Sequence, residues 1–304
     1  MTDFPQTLSP ARRAGPTSHS FISQRLRLHY TAWGDPQAPA LLLLHGGRDH
    51  CRSWDWVAQR LCDRWRVIAP DLRGHGDSAW SPDGDYSMMA YLYDLAQLIH
   101  QLDLAPLPIV AHSLGGNIAL RYSGLYPENV SKLVAIEGLG PSPKMIAQRA
   151  DTPISTRWRG WIEEKRKAAG RAPRRYASVE EALGRMREEN AYLTEDQARH
   201  LTEHGVSQNE DGSYSWKFDN YLRIWGPLDI APEEVNSLWA SITCPTLLCY
   251  GEKSWASNPE KDGRAKHFRD ARTVSFPDAG HWLHHDRFEM FMTEIEGFLG
   301  HSAR

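Results

Sequence analysis

Apolar and polar positions alternate with a period of two along residues 25–34, the pattern of an exposed antiparallel strand. Residues 40–44 form an unbroken apolar run ending at His45-Gly46-Gly47, which predicts a buried strand feeding a glycine-rich turn. Ser53 then stands as a cap before the helical pattern W-D-W-V-A-Q-R-L. A strand over 65–69 leads into D-L-R-G-H-G-D-S, and apolar residues at helical spacing predict a helix over 86–102. Buried strands follow at 108–111 and 132–136, with a helix over 115–126 between them. Repetition of this kind predicts a mostly parallel sheet covered on both faces.

The pattern changes after Glu137. Residues 138–241 show no strong strand signal, are rich in helix formers, and carry Trp158, Trp161, Trp216, Trp225 and Trp239. The stretch W-I-E-E-K-R-K-A-A-G-R-A-P-R-R is strongly charged, but its acids are interleaved with its bases. It reads as a solvated helical face rather than a nucleic-acid or membrane patch. The sheet pattern resumes at 245–250 and 272–276, and an amphipathic helix over 288–299 ends the chain. The expected organisation is a flexible lead over 1–19, an α/β core over 20–137 and 242–304, and a helical cap over 138–241.

Composition narrows the function classes. A net charge of -3 over 304 residues gives no basic footprint for nucleic acid. No apolar stretch approaches the roughly 18–20 residues that cross a bilayer, and the polar start lacks the apolar segment of a secretory signal. Cys51, Cys62, Cys244 and Cys249 show no C-x-x-C spacing, so reduced thiols and a cytoplasmic compartment are expected. The expected partner is a small molecule; the sequence does not specify an oligomeric state.

The sharpest chemical signal is A-H-S-L-G-G over 111–116, between a buried strand and a helix. A serine on such a turn is held in strained backbone geometry with its hydroxyl above the sheet, at a helix N-terminus that favours developing negative charge. Ser113 is therefore the candidate nucleophile. Acyl transfer builds charge on a carbonyl oxygen, and two backbone N–H groups must await it. Gly47, in the earlier turn, and Leu114, after the nucleophile, are assigned that role. The base should lie on a late loop, and His281 in D-A-G-H-W-L-H-H-D follows the last strand by a short turn. His284 and His285 fall where the last helix begins and read as surface or packing residues. These three histidines have no carboxylate or cysteine at ligand spacing, so no metal is expected, and the chemistry needs no cofactor. Asp71 and Arg73 read as braces of the loop around Gly74 and Gly76, and His75 as scaffold.

H-G-G, D-L-R-G-H-G-D-S, A-H-S-L-G-G, L-L-C-Y-G-E-K and A-G-H-W together resemble the α/β-hydrolase superfamily. Within the insertion, R-M-R-E-E-N, L-T-E-D-Q-A-R-H-L and D-G-S-Y-S-W-K-F-D resemble the serine hydrolase-like proteins, an esterase-type group. The resemblance implies an α/β-hydrolase fold: a mostly parallel sheet flanked by helices, with a helical cap between strands six and seven. Many relatives carry the triad's acid after the seventh strand in a G-x-x-D pattern, whereas this chain reads Gly251-Glu252-Lys253-Ser254. A serine cannot carry the charge that stabilises an imidazolium. Other members of the superfamily, certain haloalkane dehalogenases among them, place the acid after the sixth strand, where this chain has Glu137. The resemblance thus points to Glu137, with Glu252 or a serine–histidine dyad as alternatives. Dehalogenation and epoxide opening are disfavoured, since those relatives attack with Asp where this chain has Ser113.

Two functions follow as expectations. One is a serine hydrolase of small, apolar carboxylic esters or related acyl compounds, with lactonase, thioesterase and amidase activities open to the same residues. The other is a catalytically weak ligand-binding protein on a hydrolase fold, favoured by the missing acid after strand seven.

Overall fold

A computed structural model describes residues 14–300, apart from Trp225 and Leu228. The expected lead over residues 1–13 and the position of Trp225 therefore lie outside the described residues.

The main sheet is built from β1 (Thr17–Ser23), β2 (Leu26–Trp33), β3 (Ala40–Leu44), β4 (Arg66–Pro70), β5 (Leu107–His112), β6 (Val130–Ile136), β9 (Thr246–Gly251) and β10 (Ala271–Phe276). They lie in the order β1-β2-β4-β3-β5-β6-β9-β10. β2 runs antiparallel to both its neighbours, and from β4 to β10 every pairing is parallel. Strands buried on both faces read as near-continuous apolar runs, as β3 does throughout and β5 up to His112.

The period-two alternation splits those strands between two cores. Leu42, Leu44, Ile109 and Ala135 face the helices α2 (Met88–Gln101) and α3 (Ser113–Leu125). Leu41, Leu43, Val110 and Val134 face α1 (Asp55–Leu61) and the terminal helix α11 (Phe288–Leu299). Ser87 caps α2 by accepting the Ala90 N–H.

Three local expectations need correction. β1 begins at Thr17, inside the segment read as lead; only Phe21 and Ser23 of its seven residues are buried, so an edge strand left almost no apolar pattern. Ser53 is no helix cap: it sits inside a 3-10 turn over Cys51–Trp54, and α1 starts at Asp55 without a side-chain cap. The insertion is not wholly helical. Beside α4 (Pro143–Ala150), α5 (Ile154–Ala169), α6 (Val179–Glu189), α7 (Glu195–Gly205) and α8 (Pro232–Ser241) it holds a hairpin of β7 (Val206–Gln208) and β8 (Tyr214–Trp216). Three-residue strands are too short to show a period.

The charged stretch on α5 has two sides. Arg159, Arg166 and Lys167 are exposed. Lys165 turns inward, donates to the Gly84 carbonyl at 2.9 Å and lies over the Tyr221 ring.

Candidate active site

β5 and β6 run in register, His112 beside Ile136, so the next residues, Ser113 and Glu137, stand side by side where the strands end. Both take left-handed backbone angles, φ of 50° each, a conformation uncommon for residues other than glycine. Two glycines let α3 come close enough to hold that turn. A Cβ on Gly115 would meet the His45 carbonyl oxygen at 2.6 Å, and one on Gly116 would meet the Gly138 Cα at 2.7 Å. Gly138, directly after Glu137, is thus the counterpart of Gly116 in the first turn of α3.

The Ser113 hydroxyl lies 3.0 Å from His281 Nε2, and His281 Nδ1 is hydrogen-bonded to Glu137 Oε2. The Glu137 side chain is fully buried, yet both its oxygens are occupied. Oε1 accepts from the Gly251 N–H at 2.9 Å, and Oε2 also accepts from the Ser254 hydroxyl at 2.6 Å. A buried carboxylate without hydrogen-bond partners is costly, and here neither oxygen is left without one. The residue that replaces the usual acid is therefore a donor to Glu137. Glu252, the alternative acid, is exposed.

Gly47 lies beside Leu114; a Cβ on the glycine would sit 3.9 Å from the leucine's Cδ2. The Leu114 N–H belongs to the first turn of α3, where no intrahelical acceptor exists. His45 fastens the Gly46-Gly47 turn: its Nε2 accepts the Leu72 N–H at 3.0 Å, so its Nδ1 carries the proton and donates to the Gly46 carbonyl at 2.7 Å.

Sequence reasoning missed three contributors. His112, directly before Ser113, contacts the His281 backbone carbonyl through Nε2 at 2.9 Å and packs tilted against the His281 ring, centroids 4.7 Å apart. Trp255 covers the other side of His281, with ring centroids also 4.7 Å apart, and is 73% exposed. Arg264, buried, donates to the carbonyls of Leu139, Gly140, Pro141 and Ser257, tying the turn after Glu137 to the loop after β9. Only the adjacency of His112 to Ser113 offered a signal in the sequence.

His75, His284, His285, Trp216 and Trp239 take packing roles. His284 and His285 are buried in α10 (Leu283–Asp286) rather than on the surface, and His284 stacks on Trp54. His75 contacts the Arg73 carbonyl and meets the His45 ring edge-on. Asp71 accepts from the Cys51 and Asp77 N–H groups, and Arg73 pairs with buried Asp94, so both brace the loop as expected. Gly74 and Gly76 both have positive φ. Trp239 stacks on Phe268 and Trp216 on Phe218. Two groups of side chains could gather a metal, His29/Cys51/Asp71 and Asp55/His200/His204; in each the carboxylate is already engaged, by His29 or by Arg52.

Burial lowers the pKa of His45, His112 and His284, and takes His75 and His285 from 6.5 to about 3. The unfolded chain charges these rings below about pH 6.5, while the fold keeps His75 and His285 neutral down to about pH 3. Their contribution to stability is complete above the upper value. It falls by about 1.4 kcal/mol per pH unit for each ring between the two. Urea unfolding at pH 5 should therefore give a free energy lower by about 4 kcal/mol than at pH 7 from these two rings alone. An unchanged midpoint would mean that the rings are hydrated in the folded protein.

Comparison with known proteins fits this arrangement. A family model of the alpha/beta hydrolase fold matches residues 39–288. The chain is similar to a serine hydrolase-like protein of Danio rerio, 30% identical over 184 residues, 59% of this chain and 55% of that protein. It is also similar to an esterase of Mycobacterium tuberculosis, 27% identical over 267 residues, 88% of this chain and 84% of the other. The aligned region spans about half the length of the first curated relatives it matches. Among solved structures, the thioesterase domain from the curacin biosynthetic pathway superposes with a TM-score of 0.80 at 24% identity, over 92% of this chain and 99% of that one. No helix among the described residues is long and apolar enough to cross a membrane.

Proposed function

This chain belongs to the α/β-hydrolase fold family, and on that footing we propose that it is a serine hydrolase cleaving carboxylic esters or related acyl compounds through an acyl-enzyme on Ser113. The observation that carries the reading is the unbroken contact from the Ser113 hydroxyl through His281 to the buried Glu137 carboxylate. Ser113 Oγ attacks the substrate carbonyl while His281 Nε2 takes its proton. Glu137 holds the ring by Nδ1 and stabilises the imidazolium. The N–H groups of Gly47 and Leu114 receive the charge on the carbonyl oxygen. His281 then returns its proton to the leaving group, and water, activated by the same ring, releases the acid.

Residues 138–241 act as the cap in this reading, over a catalytic core of 20–137 and 242–304. Trp255, exposed against His281, offers an apolar surface beside the reacting carbonyl. Esters, lactones, thioesters and amides all fit the same residues. The four buried cysteines form no disulfide among the described residues, which supports a reducing, cytoplasmic compartment. The ligand-binding alternative rested on the missing acid after the seventh core strand; with Ser254 donating to Glu137, that feature no longer favours it.

A fluorophosphonate probe should label Ser113 stoichiometrically, and p-nitrophenyl esters of graded chain length should be turned over by the same preparation. A folded protein that neither labels nor turns over an ester would overturn the proposal.

A further inference from the structure

A cavity of about 330 Å³ lies between α4, α5 and the segment that follows the 3-10 turn Asn220–Arg223. Its wall includes three guanidinium groups, those of Arg149, Arg157 and Arg223, against one carboxylate, Glu164. Trp161 and Ile224 supply apolar surface. Arg149 and Arg223 are exposed and Arg157 is half-buried, and three guanidinium groups facing one concave surface attract an anion.

The existing partners do not supply that anion. Among the described residues Arg149 donates to the backbone carbonyls of Gly226 and Pro227, and the nearby Asp229 carboxylate is taken by Arg121. The Arg157 Nε–H is buried and has no acceptor among the described residues. Folded proteins leave few such donors unpaired. Arg223 rests against the Phe218 ring and has no carboxylate within salt-bridge distance among the described residues. Desolvation, with the Arg48 and Arg171 charges outweighing that of Glu189, pushes the Arg223 guanidinium below its usual range.

Arg48 joins this cluster to the chemistry. It directly follows Gly47 and takes a left-handed φ of 62°. The Arg48 and Arg223 charges act on each other, and Arg223 also lines the cavity, so the residue after Gly47 is linked by charge to the cavity wall.

We infer that this cavity binds an anionic group of the substrate, a carboxylate or phosphate carried at a distance from the carbonyl that Ser113 attacks. The inference rests on the serine-hydrolase reading and sharpens its substrate class: an acyl compound with apolar atoms beside the carbonyl and a negative charge farther out. It also revises the expectation of small, apolar esters, since the cap tryptophan Trp161 lines the cavity in the company of arginines. The charge belongs either to the acyl part, as in a half-ester of a dicarboxylic acid, or to the leaving group, as in a phosphorylated thioester.

Two matched pairs separate these sources. One is the p-nitrophenyl half-ester of adipic acid against its neutral methyl-capped diester. The other is butyryl-coenzyme A against butyryl-N-acetylcysteamine. The wild-type protein should favour the anionic member of one pair by about tenfold or more in kcat/KM, and that ratio should fall as salt is added. It should drop toward unity in Arg157→Gln and Arg223→Gln, while Arg223→Lys retains part of it. Calorimetric binding of the adipate half-ester and of coenzyme A to Ser113→Ala protein, with and without Arg223→Gln, reads the same site without turnover. No preference in either pair and no binding, in a protein whose Ser113 still takes the fluorophosphonate, overturns the anion site alone. Loss of labelling with anion binding intact overturns instead the hydrolase reading beneath it.

Discussion

Ser113→Ala is expected to lower kcat by about 10⁵- to 10⁶-fold on any ester the protein turns over, the size of effect seen when a serine nucleophile is removed. The residue left in place preserves the Cβ and so the left-handed turn, whose φ of 50° has a conformational cost of roughly 1 kcal/mol for any side chain. Thermal unfolding of Ser113→Ala should thus match the wild type. Ser113→Gly, equally inactive, should be more stable by about 1 kcal/mol because glycine occupies that region freely. Together the two variants separate the hydroxyl's chemistry from the backbone strain that positions it. Turnover above a hundredth of the wild-type rate in either variant would mean that another group attacks the substrate.

Glu137→Gln carries the second large effect, about a 10³- to 10⁴-fold fall in kcat. The amide keeps the shape but loses the charge, and its NH₂ group turned toward His281 Nδ1 would favour the wrong tautomer. Exposed Glu252 should be replaceable by glutamine with less than about a twofold change, as for ordinary surface positions. A compensating change tests the geometry further. Ser254 Oγ and His281 Nδ1 both contact Glu137 Oε2, so an aspartate at 254 would bring a carboxylate to the same ring nitrogen. Steady-state kinetics of Glu137→Gln combined with Ser254→Asp should recover at least tenfold of the lost rate, an increment of about 1.4 kcal/mol. If Glu252→Gln proves as damaging as Glu137→Gln, the acid has been misassigned.

Much of this was legible in the chain because burial leaves a pattern. The runs around Leu41–Leu44 and Ile109–Ala111 stand out since strands covered on both faces admit no polar residue. Glu137 stood out by contrast, a carboxylate ending such a run and followed by the glycine that Gly116 requires. β1 was illegible because its outward positions are polar and only two of its residues face the core. The roles of Ser254, His112 and Arg264 were illegible for a different reason. Each acts through hydrogen bonds to residues more than a hundred positions away, and no local period records such a contact. The cap arginines misled in a related way: sequence reports that acids and bases alternate on α5, but not which of them turn inward.

The side-by-side placement of Ser113 and Glu137 has an evolutionary consequence. The proposed nucleophile and acid both stand at the ends of adjacent strands before the chain enters residues 138–241, and the end of β9 and the loop after it supply uncharged donors, the Gly251 N–H and the Ser254 hydroxyl. Recombination that exchanges the whole insertion therefore carries off neither member, and a transplanted cap inherits a working pair at once. Freed from supplying a carboxylate, the loop after β9 is open to drift, and Trp255 at its tip becomes the place where single substitutions can redirect the enzyme toward new acyl groups.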